Sequence, residues 1–356
     1  METWILGGTG RSGRAVATAL AGRGIAPVLA GRDAGRLTEA AAEVGAARTV
    51  VAGTVEETIA ALRRDRPAAV INTIGPFGVT GVPIATACLP FAHYADLAND
   101  VGAVAALLAL DARATAAGRS VVTGAGFGVT ATESVVVKLC QDRPPAAEVR
   151  VDMVPSLAMA EGRLGEALAA SLLDGLPGVE GGRRFQGRRY TGGRLAPARL
   201  GGAARQLTLP DGNRVTTVGV PFGELVAAQR ASGAPEVVSA TSELAPARPV
   251  LPLAGLLAIG PLRRFLIRRM AAVRVKAAPK PRERSWGHAR VRWADGTVRE
   301  GWLGIGDAQA YTGAVAAEVV RRLLAGEGRP GAYTPAALFG PSLAESCGGE
   351  YRVDRA

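Results

Sequence analysis

The stretch TWILGGTGRSGRAVATAL, residues 3–20, decides the fold of this chain. A short apolar run leads into glycines spaced GxxGxxG (Gly7, Gly10 and Gly13), and an alanine-rich segment typical of a helix follows. In a strand–turn–helix unit, the first glycine permits a tight turn, the second lets backbone N–H groups approach a pyrophosphate, and the third allows close packing of the helix on the strand. The stretch alone leaves two interpretations open: a phosphate-binding loop, or a plain turn between a strand and a helix.

The sequence that follows favours the phosphate-binding loop. Six short apolar runs alternate with alanine-rich stretches as far as about residue 123: TWIL, APVLA, RTVVA, AAVINTI, YADLA and RSVVTGA. Strands that alternate with helices of this length indicate βαβ units, and continuously apolar strands fit a parallel sheet covered on both faces. We therefore predict an α/β fold, a Rossmann-type doubly wound parallel sheet.

After residue 145 the pattern changes to strands joined by hairpins. Asp211-Gly212 and Asp295-Gly296 each lie between two runs of strand-forming residues, which is typical of a hairpin turn. We predict a separate α+β domain on a mostly antiparallel sheet over residues 146–305. A helix is then expected over residues 309–326, with a glycine at its C-terminal end.

The composition favours a two-domain globular protein. A chain of 356 residues is long for one core, and 48% hydrophobic residues suffice to fill two. The three cysteines are far apart and there are only two histidines, so we expect neither a metal site nor a disulfide framework, which fits a reducing cytoplasm. No signal peptide is visible, and the longest uncharged run near the C-terminal half, residues 249–262, is too short to span a bilayer. We expect a cytoplasmic protein without a transmembrane segment.

The net charge of +11 is concentrated in two clusters, at residues 183–194 and 263–284. Neither cluster belongs to a recognisable nucleic-acid-binding fold, so we predict no nucleic-acid partner. Solvated basic faces, an acidic protein partner and an anionic substrate remain open. Residues 256–275, LLAIGPLRRFLIRRMAAVRV, favour either helices that cover the second sheet with arginines outward or contact with an anionic membrane surface.

The residues after the second strand predict which dinucleotide binds. An NAD site has an acidic residue there for the ribose 2′-hydroxyl. In this chain Arg32 takes that place, and its planar guanidinium suits the 2′-phosphate of NADP. Asp33 follows and is placed to cap the next helix. We predict NADP, with Arg11 adding to the phosphate pocket and with Thr9 and Ser12 donating hydroxyl groups at a helix N-terminus that favours an anion.

Four motifs, in their order and spacing, resemble those of saccharopine dehydrogenase-like reductases: GGTGRSGR, AGRD..RL, VINTIGPFGVTGVPIATACLPFAHYADLAND and VVTGAGFGVTATES. The tail YTGAVAAEVVRRLLAGEGRPGAYTPAALFGPSLAE is also similar, whereas the middle of the chain matches poorly. The family includes saccharopine reductases, polyamine-forming enzymes that reduce imines, and trans-acting enoyl reductases of lipid and polyketide assembly. The resemblance implies that the α+β domain is inserted, with an NADP-binding domain over 1–145 and 306–356 and a substrate and dimerisation domain over 146–305.

The resemblance also implies which loops line the nicotinamide side, namely those after strands four to six. The first contributes cofactor-binding residues: Asn72, Gly75, Pro76 and Phe77. The loop after strand six contributes a substrate pocket at Gly126 and Phe127, although core packing explains Phe127 equally well. At Gly128-Val129 the chain departs from the enoyl-reductase branch, which usually has Asp-Ser there. Ligands of parallel sheets bind at the same edge by an independent rule.

Two titratable residues near the end of the fifth strand are candidates for proton transfer. Tyr94 and Asp96 are the best placed, because a reductase needs a proton source. The alternative for Tyr94 is packing, and the alternative for Asp96 is acceptance of backbone N–H bonds in its loop. The chain has no Tyr-x-x-x-Lys pair and no Gly-x-Ser-x-Gly elbow, which argues against a short-chain dehydrogenase and a hydrolase.

The predicted function is NADPH-dependent reduction of a C=N bond or an activated C=C bond of a small metabolite, in specialised metabolism. One alternative is a trans-acting enoyl reductase that takes an acyl chain from CoA or from an acidic carrier protein. Another is an NADP-binding peripheral membrane or scaffold protein without turnover. A homodimer through the second-domain sheet is implied by the resemblance alone.

Overall fold

The computed structural model describes residues 2–157, 162–163, 186–244, 259–275 and 279–353. The chain divides into two compact units, each built from segments that are distant in sequence. The first comprises Met1–Ala98, Ala103–Phe127 and Gln309–Cys347, and the second comprises Asn99–Gly102, Gly128–Ala308 and Gly348–Ala356.

A seven-stranded parallel sheet forms the centre of the first unit. Its strands are β1 (Thr3–Leu6), β2 (Val28–Gly31), β3 (Arg48–Val51), β4 (Ala69–Asn72), β5 (His93–Asp96), β6 (Ser120–Val122) and β17 (Gly331–Tyr333). They lie in the order β17-β6-β5-β4-β1-β2-β3, and every pair is parallel. This is the strand order of a doubly wound nucleotide-binding sheet with one further edge strand, so the predicted Rossmann-type fold is confirmed. The continuous apolar runs predicted this, since β1 and β4 are buried along their whole length.

Helices connect these strands. They are α1 (Arg11–Ala21), α2 (Ala34–Val44), α3 (Val55–Asp65), α4 (Phe77–Cys88), α5 (Val101–Leu108), α6 (Asp111–Ala116), α10 (Ala308–Leu324), α11 (Pro335–Phe339) and α12 (Ser342–Ser346). α10 packs closely on α1, because a Cβ atom on Gly313 would lie 2.5 Å from the carbonyl oxygen of Ala15. Arg23 also donates to Glu318 of α10 at 3.3 Å. The helix expected near the C-terminus is therefore part of the first unit.

The second unit contains a larger sheet that is mostly antiparallel. The strands of the second unit are β7 (Glu148–Val154), β8 (Gly162–Arg163), β9 (Gln186–Thr191), β10 (Arg194–Arg199), β11 (Arg205–Thr208), β12 (Arg214–Gly219), β13 (Glu236–Thr241), β14 (Arg274–Val275), β15 (Ser285–Arg292), β16 (Val298–Ile305) and β18 (Glu350–Val353). Its helices are α7 (Phe127–Cys140), α8 (Glu224–Ser232) and α9 (Gly260–Ala272). β8 and β14 pair with each other outside the larger sheet. The order is β10-β9-β13-β7-β15-β16-β18, and β12 links β13 to β11. Only β13 and β7 are parallel among the pairs of the described sheet. The hairpins predicted at Asp211-Gly212 and Asp295-Gly296 are present, and both glycines have positive φ angles.

Helix α7 covers one face of this sheet. A Cβ atom on Gly287 would lie 2.7 Å from the backbone of Ala131, so only glycine lets β15 approach α7 this closely. Alternate residues of the strands point to the opposite face, where they form a buried cluster of charged groups. Its central residue is His288, whose Nδ1 lies 2.9 Å from Asp152 Oδ2 and whose Nε2 lies 2.9 Å from Glu300 Oε1.

The hydrogen bonds of this cluster favour a charged imidazole. Burial disfavours the charged form of His288, but the bonds to Asp152 and Glu300 outweigh burial and raise the pKa of His288. Burial likewise opposes ionisation of Asp152, yet His288 and Arg150 lower its pKa to about 2. The ring of Trp302 lies against the imidazole with centroids 4.1 Å apart. The cluster ties β7, β15 and β16 together through ion pairs.

Candidate functional site

The glycine-rich turn lies at the carboxyl end of β1. Gly7 has a φ angle of +79°, which favours glycine, and the N–H groups of Gly7 and Gly8 both donate to the carbonyl oxygen of Ala30, at 2.9 and 3.0 Å. A Cβ atom on Gly13 would lie 2.3 Å from the carbonyl oxygen of Gly7, so α1 lies directly against the turn. The tight turn and the close helix packing expected of the first and third glycines are therefore both present.

The start of α1 presents backbone to this turn. Gly10 is the N-cap residue and no side chain caps the helix, so the first N–H groups of α1 have no capping side-chain acceptor. Arg11 is exposed, and Ser12 accepts a hydrogen bond of 3.3 Å from Gln309 Nε2. The backbone oxygen of Thr9 accepts from Arg14 at 3.4 Å. A helix N-terminus that no side chain caps is a site at which an anion binds favourably.

The two charged residues that follow β2, Arg32 and Asp33, make different contacts. Asp33 caps α2, since its Oδ1 accepts the N–H of Arg36 at 3.0 Å, as its position predicted. Arg32 is exposed, and no carboxylate among the described residues forms an ion pair with it. Its Cβ lies beside Gly53 at the end of β3, where a Cβ atom would be 4.0 Å away. The guanidinium is therefore available to a ligand, whereas the neighbouring carboxylate is used by the helix.

Asn72 shapes the loop after β4. It is fully buried at the end of the strand, and its Oδ1 accepts the N–H of Ile74 at 3.0 Å. Its Nδ2 donates to Thr80 Oγ1 at 3.2 Å and to Tyr94 Oη at 3.1 Å. Thr80 in turn donates to the carbonyl oxygen of Ile74 at 2.6 Å. These bonds fix the turn in which Gly75 and Pro76 are exposed, immediately before Phe77 begins α4, where Phe77 itself is half-buried.

Tyr94 and Asp96 are both completely buried. Asp96 Oδ1 accepts hydrogen bonds from Ala98 N at 3.0 Å, Gly124 N at 3.1 Å and Thr123 Oγ1 at 2.9 Å. Burial raises the pKa of Asp96 to about 6 despite these bonds, and burial also raises the pKa of Tyr94 well above its usual value. The contacts of Asp96 match the structural alternative, because they join the carboxyl ends of β5 and β6.

Phe127 and Gly126 lie against α10. Phe127 is 6% exposed, its N–H donates to Thr312 Oγ1 at 3.1 Å, and its ring packs edge-on against Tyr311 with centroids 6.3 Å apart. A Cβ atom on Gly126 would make ordinary contact with Thr312 at 3.6 Å. Of the two roles left open for Phe127, its contacts within the first unit favour packing.

Sequence reasoning missed a buried carboxyl group at the start of α8. Glu224 is 2% exposed, and burial raises its pKa to about 8. The side-chain amide of Asn99 donates to both carboxyl oxygens, at 3.0 and 3.3 Å. A Cβ atom on Gly128 would lie 2.1 Å from Glu224 Oε1, which gives the physical reason for a glycine at this position of α7. Nothing in the local sequence marks Glu224, since a glutamate at a helix start is usually a solvated one.

Two absences apply to the described residues. No group of three or more histidine, cysteine, aspartate or glutamate side chains there is arranged to hold a metal ion. No helix there is both long enough and apolar enough to cross a membrane.

The fold and the glycine turn are those of proteins that combine a Rossmann-type α/β unit with an α+β unit. The saccharopine dehydrogenase (L-Glu forming) of Saccharomyces cerevisiae, in its apo form, is similar with a TM-score of 0.62 and 12% identity, over 99% of this chain and 100% of that chain. The homospermidine synthase of Legionella pneumophila, in complex with NAD, is similar with a TM-score of 0.64 and 11% identity, over 100% and 91%. No family model matches the chain, and no curated protein matches it by sequence. The chain has the saccharopine dehydrogenase-like fold, and the resemblance predicted from its motifs is confirmed at the level of the fold.

Proposed function

We propose that this chain is an NADP(H)-dependent oxidoreductase that reduces a C=N bond or an activated C=C bond of a small metabolite. The observation that carries the proposal is the glycine turn between β1 and α1. Its glycines have no side chains, and no side chain caps the N-terminus of α1. Sheets with this strand order bind dinucleotides at this edge. The shared fold with a dehydrogenase, and with a synthase solved with NAD, supports the same class.

The residues of the turn fit a dinucleotide. The N–H groups at the start of α1, with the hydroxyls of Thr9 and Ser12 and the side chain of Arg11, would hold the pyrophosphate. Arg32 would hold the 2′-phosphate, because its exposed guanidinium has no carboxylate partner among the described residues. A bound nicotinamide would supply or accept the hydride, and the protein supplies position and electrostatics. The preference for NADP over NAD rests on Arg32 alone.

The loop after β4 would face the nicotinamide side. Asn72 holds this loop through its bonds to Ile74 and Thr80, and Gly75 and Pro76 are its exposed part. We assign Asn72 a positioning role, because its side chain is fully buried and its hydrogen bonds are made within the protein.

A reductase also needs a proton source, which is a side chain or water. Direct proton transfer by Tyr94 or Asp96 stays a prediction, and their burial favours positioning roles instead.

The test of cofactor binding is Gly10→Ala. A Cβ atom there would lie 3.2 Å from the carbonyl oxygen of Gly7, a tight contact that the turn must relieve by a shift of a few tenths of an ångström, and the methyl group would hinder the approach of a phosphate. Thermal melts of the variant check that it is folded. We expect the affinity for NADPH to fall about tenfold or more, measured by calorimetry, because charge-assisted hydrogen bonds are lost. Gly306→Ala, which meets nothing within 4 Å, is the control and should bind as the wild type does. A wild-type protein that binds neither NADPH nor NADH would overturn the proposal.

The substrate class is tested by NADPH oxidation. One panel contains imines of amines and keto acids, and a second contains enoyl thioesters on CoA and on an acidic carrier protein. We expect NADPH to be oxidised with one of the two panels. The reduced product should then be detected by mass spectrometry. Binding of NADPH without turnover on either panel would favour the non-catalytic alternative. The homodimer implied by the resemblance is checked on the same samples by analytical ultracentrifugation.

A further inference from the structure

Helix α9 has two different faces. Leu266, Ile267 and Met270 pack against Leu200, which directly follows β10, and Leu244 completes the contact. This inward face fixes the helix on the second unit. The outward face is therefore presented as a fixed surface.

The outward face is strongly basic. It carries the exposed side chains of Arg264, Arg268 and Arg269, and the sequence from Gly260 to Ala272 contains no aspartate or glutamate. Such a helix repels cations and attracts an extended anionic surface.

The same helix and its two ends expose large apolar side chains. Phe265 is 56% exposed between the arginines, and the guanidinium of Arg269 lies 5.8 Å from its ring centroid. Ile259 and Val273, the two cap residues of the helix, are 43% and 51% exposed. Three of the seven exposed large hydrophobic residues of the described chain thus lie on this one helix and its caps. Solvated basic faces do not require such residues.

We propose that α9 docks the protein on an anionic lipid bilayer, with the arginines at the phosphate groups and Phe265 in the interfacial layer. Basic residues interleaved with aromatic and aliphatic ones on one face characterise helices that lie in a membrane interface. Phe265 stands among the arginines, and Ile259 and Val273 lie at opposite ends of the helix, so the exposed apolar groups are separated from one another. A deformable lipid surface accepts separated groups, whereas a folded acidic protein would meet the arginines and leave Phe265 without a pocket. Docking would not require a bound cofactor. A failure of this proposal is therefore distinguishable from a failure of the proposed function.

The test is flotation of the full chain with vesicles at about physiological ionic strength, where distant charges are screened. We expect binding to phosphatidylcholine vesicles that contain phosphatidylglycerol and none to pure phosphatidylcholine. The double variant Arg268→Gln/Arg269→Gln should lose most of the binding. Arg36→Gln/Arg113→Gln removes the same charge from exposed positions of the first unit and should bind as the wild type does.

Phe265→Ser separates insertion from charge attraction. We expect it to weaken vesicle binding at least several-fold at unchanged net charge, whereas Val51→Ser, at an equally exposed position of β3, should have no effect. Thermal melts confirm that each variant is folded. Absence of wild-type flotation, or equal behaviour of the α9 variants and their controls, overturns the proposal; binding to an acidic carrier protein in place of vesicles would do the same.

Discussion

The carboxyl group of Glu224 occupies the space in which a side chain at position 128 would begin. Gly128→Ala places a Cβ atom 2.1 Å from Oε1 and 2.8 Å from the sulfur of Met153, and both neighbours are enclosed. We expect the free energy of unfolding to fall by about 1–3 kcal/mol, the usual cost of overpacking. Chemical denaturation measures this.

The matched control is Gly78→Ala. Gly78, like Gly128, is the second residue of a helix that begins with phenylalanine, but a Cβ atom there meets nothing within 4 Å. We expect no loss of stability for this variant. Equal losses for both variants would show that the helix start, and not the contact with Glu224, is responsible.

The protonation of Glu224 makes stability depend on pH. Its pKa is raised from 4.5 to about 8, so the folded chain keeps a proton that the unfolded chain releases. The free energy of unfolding should therefore decrease as the pH rises between these two values. In Glu224→Gln this part of the pH dependence should be flatter, while Glu39→Gln, at an exposed position of α2, retains it. Parallel curves for Glu224→Gln and the wild type contradict a protonated Glu224.

The contributions of the two histidines to stability should change with pH in opposite directions. The pKa of His288 is raised, so its contribution is complete below its unfolded pKa of about 6.5 and is lost as the pH rises through the folded pKa. The pKa of His93 is lowered by burial and by Arg119, so its neutral form is favoured and its contribution grows with pH. We expect His288→Gln to cost most in mildly acidic buffer and His93→Gln to cost least there. Urea unfolding of both variants, measured across this pH range, tests the prediction. If the cost of both variants changes with pH in the same direction, the charged state of the His288 cluster is refuted.

The first unit was predictable because its signals are local. Apolar runs such as TWIL are buried on both faces, and turn glycines such as Gly7 are required by backbone geometry, so one segment of sequence carries each of them. β17 was missed since three residues are too short to show a period. The hairpin β9–β10 was missed because its four arginines resemble a solvated cluster. The strand β18 pairs with β16 in the second unit, a pairing of distant segments that the tail sequence does not indicate.

The candidate site was predictable only in part for the same reason. Gly13 and Asp33 are recognised from residues within a few positions of them, and the structure shows the contacts that their positions predicted. The environment of Glu224 is made by Asn99 and Gly128, about a hundred residues away in the chain, so no local pattern marks it. The burial of Tyr94 follows in the same way from the packing of β5 between its neighbours β4 and β6.

The central claim, that this fold binds NADP(H) through the glycine turn and Arg32, is tested most directly by calorimetric titration of Arg32→Ala with NADPH and NADH. Loss of a charged hydrogen bond to the 2′-phosphate predicts a fall of about tenfold or more for NADPH, with little change for NADH. Arg113→Ala, at an exposed position of α6, serves as the control for net charge. An equal fall for both cofactors, or no fall for NADPH, would contradict the assignment.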